Sequence, residues 1–513
     1  MRSWLAKPLP RFLTLLLLLL LLRLPFYFTH HVQEDAYISL RCAENLAETG
    51  IYGFNPGERV SSSTSHLYVF LSALVRLVVG SDAFIPVMLV VNTLMFLCGT
   101  YFLARVMLRE EKKYLLLWVL ISVLPISLLI SYSGMETSLL VLVIGLTLYL
   151  LQSNKPHWSA WLVLALLPWV RPDAVAFALL ILFWYCIRQR RVCWGGLGAV
   201  AVGTASLLLF NQVYFGTLLQ QSITAKMLMR HSFTFAGFLG NARTVFIGQS
   251  GGIFSPLRTK YFDSLGIVFL LIIMTMMFLY LWRKRADRAG LLNGLTLASM
   301  ALVVPPAYAF GGVLYQWYFW PSAMFGYAFL LALLVSWLTN TGHVPRLLPW
   351  VIMLVLIAGV IAQWVFSYAW GMKEYAYRGG IGVWLNENAK PGERLLLEPA
   401  GYIPYYSGLY TYDEVGLVSP QVVTYRQEYD LRWWTEFVQD FEPEWVVQRG
   451  HITGYMTYQG YEMNQAEREW FQQHYRLVVH FAFRPEDYAD RSFFVSLLSL
   501  GEVDDYYVFH IAR

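Results

Sequence analysis

The chain has 513 residues, of which 57% are hydrophobic and 14% charged, against about 25% charged in soluble domains. That balance excludes a single soluble globular domain. After residue 370 stand 12 Lys and Arg against 21 Asp and Glu, a net of −9 where the rest of the chain is +14, so an apolar body is followed by an acidic tail; the basic residues punctuate apolar runs and form no stripe, which excludes a nucleic-acid binder.

The N-terminus places Arg2, Lys7 and Arg11 before Leu15–Leu22, with Arg23, Pro25, Phe26 and Tyr27 after it and no small-residue cleavage site. This reads as an uncleaved first helix entering from the cytoplasm. A span needs about 20 mostly apolar residues. On that rule spans fall near 11–29, 84–105, 113–131, 135–152, 158–170, 173–187, 194–214, 263–282, 289–308, 317–338 and 347–370, about eleven in all. With odd spans running outward, Arg105–Lys113, Lys155, Arg188–Arg191, Arg283–Arg288 and Arg346 fall inside, as the positive-inside rule asks. The loop 30–82, the loop 215–262 and the tail then lie outside. The expected domains are 1–370, a membrane body, and 371–513, a soluble α/β domain on the outer face. The cysteines (Cys42, Cys98, Cys186 and Cys193) show no metal spacing, and at least two lie in apolar segments, which disfavours a disulfide framework.

In the first outer loop, Glu34 and Asp35 stand just past a membrane-crossing run, where ionisable groups are costly and usually functional. A carboxylate there can take a proton from an acceptor hydroxyl; the alternative is that Asp35 caps the helix that follows. That helix is amphipathic, and Gly50, Gly53 and Asn55-Pro56-Gly57 break it into turns. Residues 65–79 resemble a span but carry Ser65, His66, Ser72 and Arg76, so they are expected to lie in the interface. Arg41 and His66 join the candidate substrate contacts.

Further on, Glu136 in Ser133–Thr137 either caps the next helix or lines the outer cavity. The hinge Trp169–Asp173 offers Arg171 to a phosphate with Asp173 orienting it, or braces a helical break as an ion pair. The loop 215–262 carries Lys226, Arg230, Arg243, Arg258 and Lys260 and no acid, which suits an anion such as a lipid phosphate, Lys226 above all. In Tyr315–Pro321, Gln316 and Trp317 either belong to an aromatic belt or hold a sugar. In the tail, Arg394–Glu398, Trp445–Gln448, Leu477–Phe483 and Tyr506–Ile511 read as strands, with a helix from Ala400-Gly401 to Ser407-Gly408.

Taken together, EDAYISLRCAENLAETGIYGFNPGERV, SGMET, VRPDA, YFGTLLQQSITAK and QWYFWP resemble the polytopic C-type glycosyltransferase superfamily (GT-C). The nearest branch is that of the arabinofuranosyltransferases of mycobacterial cell walls and type IV pilins, which AGYIPYYSGLYTYDEVGLVSP and PEWVVQR in the tail also resemble. The resemblance implies a GT-C fold and inverting transfer of a sugar from a polyprenyl-phosphate lipid at the outer face of the plasma membrane. The acceptor would be a hydroxyl of a cell-envelope glycan, lipid or protein. It also implies an acidic base at Glu34-Asp35. The family usually has Asp-Asp there, so if Glu34 is the base its longer arm must be accommodated; it also tends to Pro-Asn where this chain has Leu219-Gln220. No cofactor beyond the lipid-linked donor is required, and no His/Asp cluster indicates a metal. Mannose in place of arabinofuranose, a lipid-linked sugar flippase, and a scaffold with a working tail are the competing readings. The absence of an inverted repeat, and ionisable residues gathered at one face, stand against a flippase.

Overall fold

The computed structural model describes residues 8–153, 156–228, 234–254, 271–276, 279, 288–312, 315–340, 346–449, 462–484 and 505–512. Two compact units result. One is Met1–Phe28, Pro86–Leu207 and His231–Ser367; the other is Thr29–Ile85, Leu208–Arg230 and Tyr368–Arg513. The acidic tail therefore shares its unit with the Glu34-Asp35 segment and with Lys226. The division falls at 367/368, a few residues before the boundary expected at 371, because the Leu348–Gly371 helix runs without a break into a π-helical stretch, Met372–Gly379.

The first unit is helical. Among the described residues six helices are long and apolar enough to cross a membrane, and a seventh is added if Glu111–Ser122 and Pro125–Tyr132, bent by 72°, count as one span. The expected eleven needs the shorter helices Thr137–Leu150, Trp158–Val170 and Ala174–Gln189 as well; most of the expected span at 263–282 lies outside the described residues. Pro125 supplies the bend, since a proline cannot continue the hydrogen-bond ladder. Arg23, fully buried, stitches it: Nε donates to Ser131 Oγ at 3.0 Å and Nη2 to the Ser122 carbonyl at 2.8 Å. Between Pro86–Met107 and Thr137–Leu150 the backbones touch at glycine. A Cβ on Gly99 would lie 2.7 Å from the Leu142 Cα and N, the close approach that small residues permit between apolar helices. The 66–79 run is divided from the following span by Gly80, at φ 79°.

In the second unit the tail forms a five-stranded sheet: β1 (Arg394–Leu397), β2 (Tyr410–Asp413), β3 (Trp445–Arg449), β4 (Tyr475–Phe481) and β5 (Tyr506–Ile511) in the order β2-β1-β3-β5-β4. β1 is parallel to both β2 and β3, while β5 runs antiparallel to β3 and β4. A central parallel strand is buried on both faces, which is why β1 reads Leu395-Leu396-Leu397 without alternation. Leu395 and Leu397 pack with Ile381, Val447 and Val508; Leu396 packs with Val446, Trp433 and Phe437. The crossover from β1 to β2 carries the short Tyr402–Ser407 helix, closed by Gly408 at φ 68°.

Candidate active site

The Glu34-Asp35 pair opens the Ala36–Thr49 helix, whose side chains from Ala36 to Ala43 are buried and which ends on Gly50 in the left-handed conformation. Asp35 occupies the capping position, yet its backbone is helical and its side chain makes no capping bond. The capping role is therefore unfilled, and among the described residues no hydrogen bond ends on this half-buried carboxylate. Burial raises its pKa above the ordinary aspartate value, and the Lys226 ammonium pulls it partly back.

Lys226 rides on the Gln221–Met227 helix, whose start is tied down on three sides. The Gln221 amide N–H donates to Ser61 Oγ at 2.9 Å, and its side-chain Nε2 to the Gly416 carbonyl at 2.9 Å. Before it, Gln220 reaches His66. His66 is fully buried, with Nε2 2.7 Å from Asn211 Oδ1 and Nδ1 2.8 Å from the Tyr52 hydroxyl. Both ring nitrogens have protein partners, so His66 helps to fix the segment that presents Lys226.

Glu34 has the opposite setting to its neighbour. Its Oε1 accepts the backbone N–H of Gly401 at 2.9 Å and of Tyr402 at 3.1 Å. Arg378 Nη1 stands 3.6 Å from its Oε2 and 2.8 Å from Glu374. The Glu34 carboxyl is pushed up to about 8, first by burial and then by the negative Glu374 beside it. Arg41, a candidate phosphate ligand, is instead fully engaged by backbone: it donates to the carbonyls of Phe54 (3.0 Å), Pro404 and Leu409, with its guanidinium 4.4 Å from the Phe54 ring centre.

In the other unit the hinge holds a closed ion cluster. Arg171 Nε and Nη2 donate to Asp173 at 3.0 and 2.9 Å, and Nη1 lies 3.2 Å from Glu136. Tyr308 donates to Asp173, and the Tyr318 ring covers the guanidinium at 4.5 Å. Two carboxylates already answer this cation, and neither Glu136 nor Asp173 caps its helix. The geometry is that of the brace, one of the two readings of the hinge. Trp317 stacks on Tyr315 with ring centres 5.0 Å apart. The side chain of Gln316, like Arg230, Arg258 and Lys260, lies outside the description.

Sequence reasoning missed Glu374, Arg378, Gly401 and the ion pair of Arg449 with Glu398. The i,i+4 spacing of Glu374 and Arg378 was the available signal, but both lie where span and tail meet. Among the described residues no three His, Cys, Asp or Glu side chains gather as metal ligands.

A family described as "Domain of unknown function (DUF8728)" matches residues 367–502. No curated protein matches the sequence. Among solved structures, the chain is similar to ArnT from Cupriavidus metallidurans bound to undecaprenyl phosphate, with a TM-score of 0.59, 11% identity and 98% of each chain covered. The apo state of that protein gives 0.55 at 11% identity, covering 88% of this chain and 96% of the other. The apo oligosaccharyltransferase of Archaeoglobus fulgidus gives 0.51 at 12% identity, covering 92% and 73%. The chain thus shares the fold of these solved structures.

Proposed function

We propose that the protein is an integral membrane glycosyltransferase that moves a sugar from a polyprenyl-phosphate donor to an acceptor hydroxyl at the outer membrane face, with inversion. The observation that carries this reading is Asp35: a carboxylate at a helix start, hydrogen-bonded by none of the described residues, beside the ammonium of Lys226. The relative bound to undecaprenyl phosphate supports the lipid class of the donor. The acceptor oxygen attacks the anomeric carbon and gives its proton to Asp35. The bond from that carbon to the phosphate oxygen breaks, and Lys226 stabilises the charge gathering on the departing phosphate. Arabinofuranose is the donor sugar favoured by the resemblance of the first outer loop and of the tail; the acceptor is a glycan, lipid or protein of the envelope. Arg171 has no part in holding the phosphate, since Glu136 and Asp173 neutralise it.

The test uses purified protein in lipid nanodiscs with undecaprenyl-phosphate-linked arabinofuranose, and separately mannose, following release of undecaprenyl phosphate. Asp35→Asn removes the base and keeps the shape, so turnover should fall roughly 10²–10⁴-fold with donor affinity little changed. Wild-type turnover by Asp35→Asn, or no release from either donor, overturns the reading.

A further inference from the structure

Glu34 presents a chemical puzzle. One carboxyl oxygen is fully used by the Gly401 and Tyr402 amides. The other, Oε2, is buried and receives no hydrogen bond from the described residues, yet it faces the carboxyl of Glu374, which is 2% exposed. One guanidinium, Arg378, serves both acids, nearer to Glu374 than to Glu34. Two buried carboxylates facing each other repel, and a proton on one turns the repulsion into a hydrogen bond. A proton on Glu34 Oε2 donated to Glu374 satisfies both groups and leaves Arg378 and Glu374 as a balanced pair.

Gly401 makes the seat possible. A Cβ there would lie 2.5 Å from Glu34 Cδ and 2.5 Å from the Glu34 carbonyl oxygen. The backbone of 401 can approach the carboxyl only because no side chain intervenes. The longer arm of Glu34, relative to an aspartate, is what reaches this turn.

We propose that Glu34 is a positioning residue held in its protonated form, which locks the start of the Ala36–Thr49 helix onto the Gly401-Tyr402 turn and so aims Asp35 at the acceptor. This rests on the reading of Asp35 as the base. The groups facing Glu34 are Glu374 and Arg378 from the 372–379 stretch, the Tyr402 phenol, and the Tyr506 phenol from β5; Arg378 and the backbone N–H of Tyr402 favour ionisation, and burial and Glu374 outweigh them. The Glu34 carboxyl, raised to about 8, keeps its proton below that pH and loses it above. The seat is therefore intact at neutral pH and is weakened on the alkaline side, where two negative carboxylates share one cation.

Glu34→Gln mimics the protonated acid: its oxygen still accepts from 401 and 402, and its N–H₂ still donates to Glu374. It should turn over near the wild-type rate at pH 7 and lack the fall in kcat expected of wild type above about pH 8. Glu34→Ala and Gly401→Ala should lower kcat on the order of 10²-fold by misplacing the base, with undecaprenyl phosphate affinity unchanged. Infrared spectra of the wild type should show a protonated carboxyl band that titrates near pH 8 and is absent in Glu34→Gln. Absence of that band overturns the proposal whether or not glycosyl transfer is detected, so it can fail apart from the proposed reaction. Glu34→Gln as inactive as Asp35→Asn, or active with an unchanged alkaline limb, also overturns it.

Discussion

The guanidinium of Arg41 ends on the backbone carbonyl of Leu409, 2.6 Å from Nη2. With its bonds to Phe54 and Pro404, this makes Arg41 a clamp within one unit, joining the Ala36–Thr49 helix to the turn before β2. Arg41→Met keeps the stem but takes a charged donor from three carbonyls, which keep only their second partners on Asn45, Gly408 and Thr411, at a cost on the order of 3 kcal/mol. Arg41→Lys should recover little of it, since an ammonium cannot reproduce the planar fork. Thermal unfolding in detergent measures both. If Arg41→Lys melts with wild type but binds undecaprenyl phosphate weakly, the arginine is a substrate ligand after all.

The contact of Gly99 with the backbone of Leu142 sets a sharper packing test. Even a methyl at 99 meets Cα and N of Leu142 at 2.7 Å, and backbone in a packed helix does not give way. Gly99→Ala should cost about 1–3 kcal/mol through overpacking. Gly198 is a helical glycine with nothing within 4 Å of the Cβ site, so Gly198→Ala should gain about 0.5–1 kcal/mol from backbone entropy. Opposite shifts in unfolding temperature are expected; equal ones would remove the helix contact as a determinant.

Much of this fold is written locally. β1, β3, β5 and the Tyr402–Ser407 helix were legible because each is a short apolar run closed by turn residues. β2 was not, because Tyr410–Asp413 alternates weakly and is a strand only by pairing with β1. The described residues carry six or seven long spans and three shorter apolar helices of the eleven expected. A hydropathy window cannot see Pro125 bend one run into two helices, or that Thr137–Leu150 is too short to cross alone. At the site, Asp35 and Lys226 were legible as charges in unlikely places. The different surroundings of Glu34 and Asp35 were not, since those of Glu34 depend on Gly401 and Glu374, hundreds of residues away. Arg41, Arg171 and His66 each have hydrogen-bond partners within their own unit, the commoner state of a buried polar group.

Membrane orientation is tested by single-cysteine labelling with an impermeant reagent. Positions 112 and 190 should stay unlabelled in intact cells, and position 226 and exposed tail sites such as 431 should react. Position 284, also expected inside, lies beyond the described residues. Labelling at 112 would sink the threading, and with it the interfacial reading of 65–79.

Lys226 should act twice, on the donor phosphate and on Asp35. Removing it takes a positive charge from the phosphate, so Lys226→Ala should weaken undecaprenyl phosphate binding and slow the reaction as well, because the charge on the leaving oxygen is greatest in the transition state. The second effect is on pH dependence. Asp35 works as a base only when ionised, so turnover falls as pH drops through its pKa. Burial has already raised that pKa, and Lys226 opposes the rise. Without the ammonium the pKa climbs further, and the acid limb of the kcat profile should move to higher pH. Lys226→Gln should shift it in the same direction, while Lys226→Arg, which keeps the charge, should leave it near wild type. A limb that stays fixed or moves to lower pH would show that Lys226 and Asp35 do not share a site, and the phosphate would then need another cation.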